Sequence, residues 1–260
     1  MSDLVLREEQ NGILRLTLND PATRNSLSNL MIEEMHATLR EAESRVIIVA
    51  ANGPAFSSGH NLKEITAHRA DADGGQSFFK NLFGACAELM LAITAHPCPV
   101  IAEIDGLASA AGCQLVASCD LAFATDRSTF CTPGVNIGLF CSTPMVAVSR
   151  AVGRKHAMEM LVTGDTISAP EAMRMGLINR VTSHNELKTA TQELAQKIAS
   201  KSNAAIKIGK QAFGRQMELP TAEAYAYMTQ IMADNLREAD SREGIEAFIQ
   251  KRKPVWQQDL

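Results

Sequence analysis

Two glycine-centred turns constrain this chain more than any other feature. Each follows an apolar run of β-strand character. The first, Pro54-Ala55-Phe56-Ser57-Ser58-Gly59-His60-Asn61, comes after Val46-Ile47-Ile48-Val49. The second, Gly106-Leu107-Ala108-Ser109-Ala110-Ala111-Gly112-Cys113-Gln114, comes after Val100-Ile101-Ala102-Glu103-Ile104. Continuous apolar runs mark strands buried on both faces, as in parallel sheets covered by helices. Glycine and other small residues let backbone approach closely. Two such turns, each aiming a backbone N–H at one shared point, would stabilise negative charge developing on a carbonyl oxygen.

The remaining pattern fills in around these turns. Leu4-Val5-Leu6 and Ile13 to Leu18 read as strands separated by the turn signal Gln10-Asn11-Gly12. A helix is expected after Ser28, with Leu30, Met31, Met35 and Leu39 at helical spacing. Residues 66–77 are polar and rich in Gly and Asp, which predicts a surface loop before a helix from about Phe78 to Thr94. His96-Pro97-Cys98-Pro99 ends that helix and launches Val100 to Ile104. Leu121 to Ala124 reads as a strand, and Ser149 to Thr163 as one helix. Ser168 with Glu171 forms a capping-box pattern for a helix to Met175, with Gly176 as its stop. From Glu186 the pattern is helical, with Pro220 between two long helices and a last helix from Gly244 to Lys251. These shifts divide the chain into a 1–200 core and a 201–260 helical region.

Composition narrows the function classes. At 46% hydrophobic residues, the 260-residue chain can bury a large core. A net charge of −4 without a basic run gives nucleic-acid binding no support. No apolar stretch reads as the roughly 20-residue span a membrane helix needs. Met1-Ser2-Asp3-Leu4 shows neither a basic segment nor an apolar signal core, so the expectation is a cytoplasmic protein. The six cysteines form no C-x-x-C pair and read as buried free thiols, and no metal-ligand spacing is present.

Several ordered segments resemble the crotonase, or enoyl-CoA hydratase/isomerase, family over nearly the whole length. They are Asn19-Asp20-Pro21-Ala22-Thr23-Arg24-Asn25-Ser26-Leu27, AFSSGHNLKEI, PVIAEIDGLASAAGCQLVASCDLAFATD, RAVGRKHAMEMLVTGDTISAPEAMRMGLINRV and EGIEAFIQKRKPVW. The resemblance implies an α/β fold: a crotonase-like ββα spiral core with a C-terminal helical trimerisation region. It implies a homotrimer or dimer of trimers, and an acyl-CoA thioester substrate with no separate cofactor. By position, it places the oxyanion N–H groups on His60 and Ala111. For coenzyme A it suggests Arg24, Phe56, Ser58, the Asn61-Leu62 backbone, Lys63 and Gly112, with Phe248 and Lys251 from a C-terminal pair.

The chain departs from the family at two places. The two glutamates that activate and deliver water in a typical hydratase fall at Gln114 and Gly134. Glutamine can position a water but cannot take its proton, and glycine does neither. Cys141, on a loop expected to close over the acyl group, could act as a base or nucleophile if its pKa were lowered, or pack as a small buried residue. His60, within Ser-Gly-His-Asn, is locally similar to a decarboxylase branch, where the oxyanion hole alone holds the enolate. Expected functions are therefore an enzyme stabilising a thioester enolate, a decarboxylase, a non-catalytic acyl-CoA-binding protein, or a hydrolase using Cys141 or Ser58.

Overall fold

The computed structural model describes residues 4–259, so Met1-Ser2-Asp3 of the leader reading lie outside the described residues. The chain opens with a hairpin of β1 (Val5–Gln10) and β2 (Ile13–Leu18). Asn11 and Gly12 both take positive φ, 54° and 72°, as a two-residue hairpin turn matching strand twist requires. Ser28 then caps α1 (Asn29–Glu41), its hydroxyl accepting the Met31 N–H at 3.2 Å. Met31, Ile32, Met35 and Leu39 form the buried stripe of α1, each contributing about 1.5–3 kcal/mol by burial.

Three strand–strand–helix units follow. The first is β3 (Val46–Ala51), β4 (Ala55–Ser57), α2 (Leu62–Ala67) and α3 (Gln76–Ala95). The second is β5 (Val100–Ile104), β6 (Leu107–Ser109) and α4 (Ala111–Ser118). The third is β7 (Leu121–Thr125), β8 (Thr129–Cys131), α5 (Ser142–Ala151) and α6 (Arg154–Thr163). Next come β9 (Ile167–Ser168), α7 (Ala169–Met175) and β10 (Arg180–Thr182). The first strand of each unit joins a six-stranded sheet, β1-β2-β3-β5-β7-β10, and the second joins a four-stranded sheet, β4-β6-β8-β9. Repetition of that step is a ββα spiral. Among the described residues, only the β1–β2 and β8–β9 pairings are antiparallel. Four helices complete the chain: α8 (Leu187–Ala199), α9 (Asn203–Gln216), α10 (Thr221–Asn235) and α11 (Ala239–Ile249).

Alternation along the central strands sends successive side chains to opposite faces. Ile47 and Val49 enter the main core with α1 and α3, whereas Val46 and Ile48 join Ile13 and Ile101 beneath α8. On the α8 face, Arg15 of β2 donates to both carboxylate oxygens of Glu103 on β5, at 2.6 and 3.0 Å. The Thr191 hydroxyl of α8 also donates to Glu103. Lys210 of α9 is tied to the core, donating to Asp120 at 2.6 Å and to the Cys98 carbonyl at 2.9 Å.

Four expectations need correction. The stretch 66–77 is not simply a loop. It contains the end of α2, a 3-10 turn at His68–Ala70 and the start of α3. Asn61 caps α2 by accepting the Lys63 and Glu64 N–H groups. The helix expected over Ser149–Thr163 is two helices, because Gly153 interrupts it and α5 starts at Ser142. The last helix begins at Ala239, not Gly244. At 20 residues, α3 is long and apolar enough to cross a membrane by length and composition alone. Its Leu82, Cys86, Leu89, Met90 and Ile93 instead pack into the core, with Lys80 and Glu88 exposed.

Removing one partner of a buried ion pair strands the other. Glu103→Ala is expected to cost about 3–5 kcal/mol in chemical denaturation, with the native fold retained in the surviving folded fraction.

Candidate active site

The two turns meet through their glycines. A Cβ on Gly112 would lie 2.4 Å from the Ser57 carbonyl oxygen, so α4 can begin here only with glycine. A Cβ on Gly59 (φ 84°) would lie 2.9 Å from the Ser109 oxygen and 3.2 Å from the Ala111 nitrogen. This close approach sets His60 beside the start of α4. Ala110 takes φ 49°, ψ −114°, a conformation costing an L residue about 1–3 kcal/mol. It is held by its N–H bond to the Cys131 carbonyl at 2.9 Å. That kink converts β6 into α4 and makes Ala111 the first residue of the helix, where N–H groups have no intrahelical acceptor.

Among the described residues, neither the His60 nor the Ala111 backbone N–H donates to another group of the chain. His60 pairs with Leu27 through an isolated parallel bridge. The Leu27 N–H donates to the Gly59 carbonyl at 2.8 Å. The first turn is clamped from outside by Asn25, which is fully buried at φ 52°. Its amide donates to the Asn52 and Ala55 carbonyls, both at 2.8 Å, and accepts the Asp20 N–H at 2.8 Å. The Ser57 hydroxyl donates to the Asn25 carbonyl at 2.8 Å. Asn25, Leu27 and Phe83 were given no individual role by sequence reasoning. The signal for Asn25 was present, because asparagine tolerates left-handed turns and bonds nearby backbone. Phe83 of α3 meets the His60 ring edge-on, centroids 5.1 Å apart.

Gln114 lies three residues after Ala111, hence on the same face of α4. It is 4% exposed, and its Oε1 has no hydrogen-bond partner. Gly134 is buried beneath Cys141, and a Cβ there would lie 2.8 Å from the Leu139 oxygen and 2.9 Å from Cys141 Sγ. A side chain at 134 would need space that the Cys141 thiol already occupies. Burial pushes the Cys141 thiol up, and hydrogen bonding to the Gly134 backbone opposes this only in part. The lowered pKa that thiolate chemistry requires is therefore not met, and Cys141 packs as a small buried residue. All six cysteines are free. Burial raises the Cys86 thiol to about 12. Glu103 and Asp105 are structural: Asp105 accepts from Thr125 at 2.9 Å and from Arg127 Nε at 2.7 Å.

The residues suggested for coenzyme A divide into two groups. Arg24, Leu62 and Lys63 are exposed around the first turn. The side chains of three neighbours are committed elsewhere. The Phe56 ring is wholly buried in the main core. The Ser58 hydroxyl donates to the Thr23 carbonyl at 3.1 Å, and Asn61 caps α2. Phe248, 85% exposed, and Lys251 sit at the end of α11, which packs within the chain against α9. Phe248 also borders a cavity of about 360 Å³ with Ser202, Asp240 and Trp256. That cavity lies among the C-terminal helices and is separate from the two turns.

The Gly134–Cys141 contact has a direct consequence. Gly134→Glu is expected to destabilise the protein by about 1–3 kcal/mol through overpacking. Adding Cys141→Ala should recover part of the loss, as read by paired denaturation curves.

Comparison with known proteins agrees with this geometry. Residues 8–259 match the family model described as enoyl-CoA hydratase/isomerase. Mouse enoyl-CoA hydratase domain-containing protein 3, mitochondrial, is 50% identical over 97% of this chain and 84% of its own length. The crystal structure of human enoyl Coenzyme A hydratase domain-containing protein 3 superposes with a TM-score of 0.92 at 46% identity, covering 98% of this chain and 100% of that one. An enoyl-CoA hydratase structure from Mycobacterium smegmatis gives 0.93 at 43% identity, covering 98% and 99%. These relatives correct the expectation of a cytoplasmic protein, since five vertebrate proteins 47–50% identical to it are each named mitochondrial. The ββα spiral, the two converging turns and these matches together place the chain in the enoyl-CoA hydratase/isomerase, or crotonase, family.

Proposed function

We propose that this protein is an enzyme that binds an acyl-CoA thioester and stabilises its enolate between the backbone N–H groups of His60 and Ala111. The observation that carries this reading is the pair of unengaged N–H groups on turns held together by Gly59 and Gly112. An enolate oxygen needs fixed dipoles that cost no reorganisation as charge develops. The N-terminal end of α4 adds a favourable partial charge. Coenzyme A is part of the substrate, and the reading needs no separate cofactor. Arg24 and Lys63 are suited to its phosphates.

The buried, unpartnered Gln114 Oε1 favours a reactive site over passive binding. A purely structural pocket would gain by replacing such a group with an apolar one. Without carboxylates at 114 and 134, decarboxylation is the second reading, because loss of a β-carboxylate forms the enolate without a base.

Assembly belongs to the same proposal. Large apolar side chains stand exposed along the C-terminal helices: Phe213 (64%), Met217 (67%), Tyr225 (74%), Met232 (61%) and Ile249 (72%). Exposed apolar surface on this scale favours burial between copies. A homotrimer or dimer of trimers is expected, with Phe248 and Lys251 completing a neighbour's coenzyme A site. Native mass spectrometry should find a mass of three or six 28.1 kDa chains.

The oxyanion reading is tested with a chromophoric cinnamoyl thioester of coenzyme A. Polarisation of its carbonyl should shift the absorption to longer wavelength on binding. Gly112→Ala, which pushes the turns apart, should abolish the shift and lower turnover about 10²–10³-fold, the usual cost of losing one such donor. Tight binding with no shift would contradict the proposal.

A further inference from the structure

His96 is a buried histidine that the proposed chemistry does not use. It sits just past α3, between the end of α1 and the start of β5. Its Nε2 lies 3.2 Å from the Leu39 carbonyl oxygen of α1, and its Nδ1 lies 3.1 Å from the Cys98 backbone nitrogen. A carbonyl only accepts, so Nε2 carries the proton. Nδ1 is then a lone pair that accepts the Cys98 N–H. Only the neutral ring satisfies both neighbours.

The same short segment anchors the C-terminal helices. Lys210 of α9 donates to the Ile93 carbonyl at 3.2 Å, the Cys98 carbonyl at 2.9 Å and Asp120 at 2.6 Å. Asp120 in turn accepts the Val100 N–H at 2.7 Å. Cys98 is therefore gripped from both sides, its N–H by His96 and its carbonyl by Lys210. Pro97 and Pro99 lack N–H groups, so the Cys98 amide is the single backbone donor of that linker.

Protonation disturbs both grips. An imidazolium bears N–H groups at both nitrogens, which sets Nδ1–H against the Cys98 N–H. An alternative acceptor is the Cys98 carbonyl, 3.4 Å from Nδ1, but Lys210 already occupies it. The charged groups that act on the ring are the Lys210 ammonium, which repels the new charge, and the Asp120 carboxylate, which favours it. Lys207 of α9 and Arg40, Glu41 and Glu43 around the end of α1 are exposed. Burial raises the Cys98 thiol and keeps it neutral. Burial is also the largest influence on His96, lowering it below its ordinary value near 6.5 while its backbone bonds oppose the shift. The folded contacts thus select the neutral ring. Their contribution is complete above about pH 6.5 and is lost as pH falls from there through the lowered folded value.

We propose that His96 is an acid-sensitive latch that holds α9 on the core through the Cys98 peptide. At neutral pH the latch is closed. In acid the ring takes up one proton, gives up the Cys98 N–H and competes with Lys210 for the Cys98 carbonyl. Helix α9 then loosens while the ββα spiral stays folded. Because α10 and α11 follow α9, the latch governs the segment that carries Phe248 and Lys251. That consequence rests on the assembly reading above, whereas the latch itself does not.

The test is hydrogen exchange of the full-length protein from pH 7.5 to 5.0, read by mass spectrometry and corrected at each pH for the intrinsic exchange rate. Opening restores the ordinary pKa of the ring, so the opening constant of α9 should rise by up to about tenfold per pH unit below 6.5. Peptides from α9 and around Cys98 should lose protection together, while those from β3 and β7 keep theirs. His96→Gln retains an acceptor for the Cys98 N–H and a donor for Leu39 but does not titrate, so the acid response should vanish. Lys210→Met should show at pH 7.5 the loosened α9 that wild type shows at pH 5.0. The proposal is overturned by wild-type α9 protection that stays level across the range, by an equal loss in β3 and β7, or by an acid response that persists in His96→Gln. If His96→Gln does not fold, Lys210→Met decides: an α9 as well protected as in wild type overturns the latch. Acid loosening of α9 in a chain that native mass spectrometry finds monomeric would uphold the latch and sink the assembly reading.

Discussion

The architecture of the site depends on one steric constraint: two backbones meet where no Cβ can fit. Gly112 packs on the Ser57 carbonyl, and Gly59 packs on the Ser109–Ala111 turn. That contact joins the first and second ββα units at the point where each passes from the smaller sheet into a helix. The surrounding order supports it. Asn25 fixes the outer side of the first turn, and the Cys131 carbonyl holds the strained Ala110 on the second. The central sheet below, buried on both faces and cross-tied by Arg15, Glu103 and Thr191, keeps the two strands in register.

The chemistry follows from what this packing leaves unpaired. Most buried polar groups here are satisfied, as folded proteins require. Among the exceptions are the His60 and Ala111 backbone N–H groups on the two turns. Such donors suit an oxyanion. Position 114 carries an amide, and position 134 a glycine whose missing side chain makes room for Cys141. Desolvation holds that thiol in its protonated form.

Much of this could be read in the sequence because it is local. The Asn11-Gly12 hairpin, the Ser28 and Ser168 caps, and the apolar Val46 and Val100 strands carry their signals within a few residues. The misreadings also have local causes. Asn61, with Glu64 three residues later, is a helix start that the polar character of 66–77 obscured. Gly153 marks the break between α5 and α6 that helical spacing alone did not reveal. What could not be read was partnership over distance. The bond of His60 to Leu27, 33 residues away, fixes the tautomer, and only the folded chain shows that Nε2 and Gln114 Oε1 go unmatched.

The most direct measurement is a crystal structure of the protein with a non-reactive acyl-CoA thioester. The account predicts the thioester oxygen about 2.7–3.1 Å from both the His60 and Ala111 backbone nitrogens, the range in which such donors act. A thioester bound with its carbonyl turned away from either N–H, or seated in the cavity of the C-terminal helices, would contradict it.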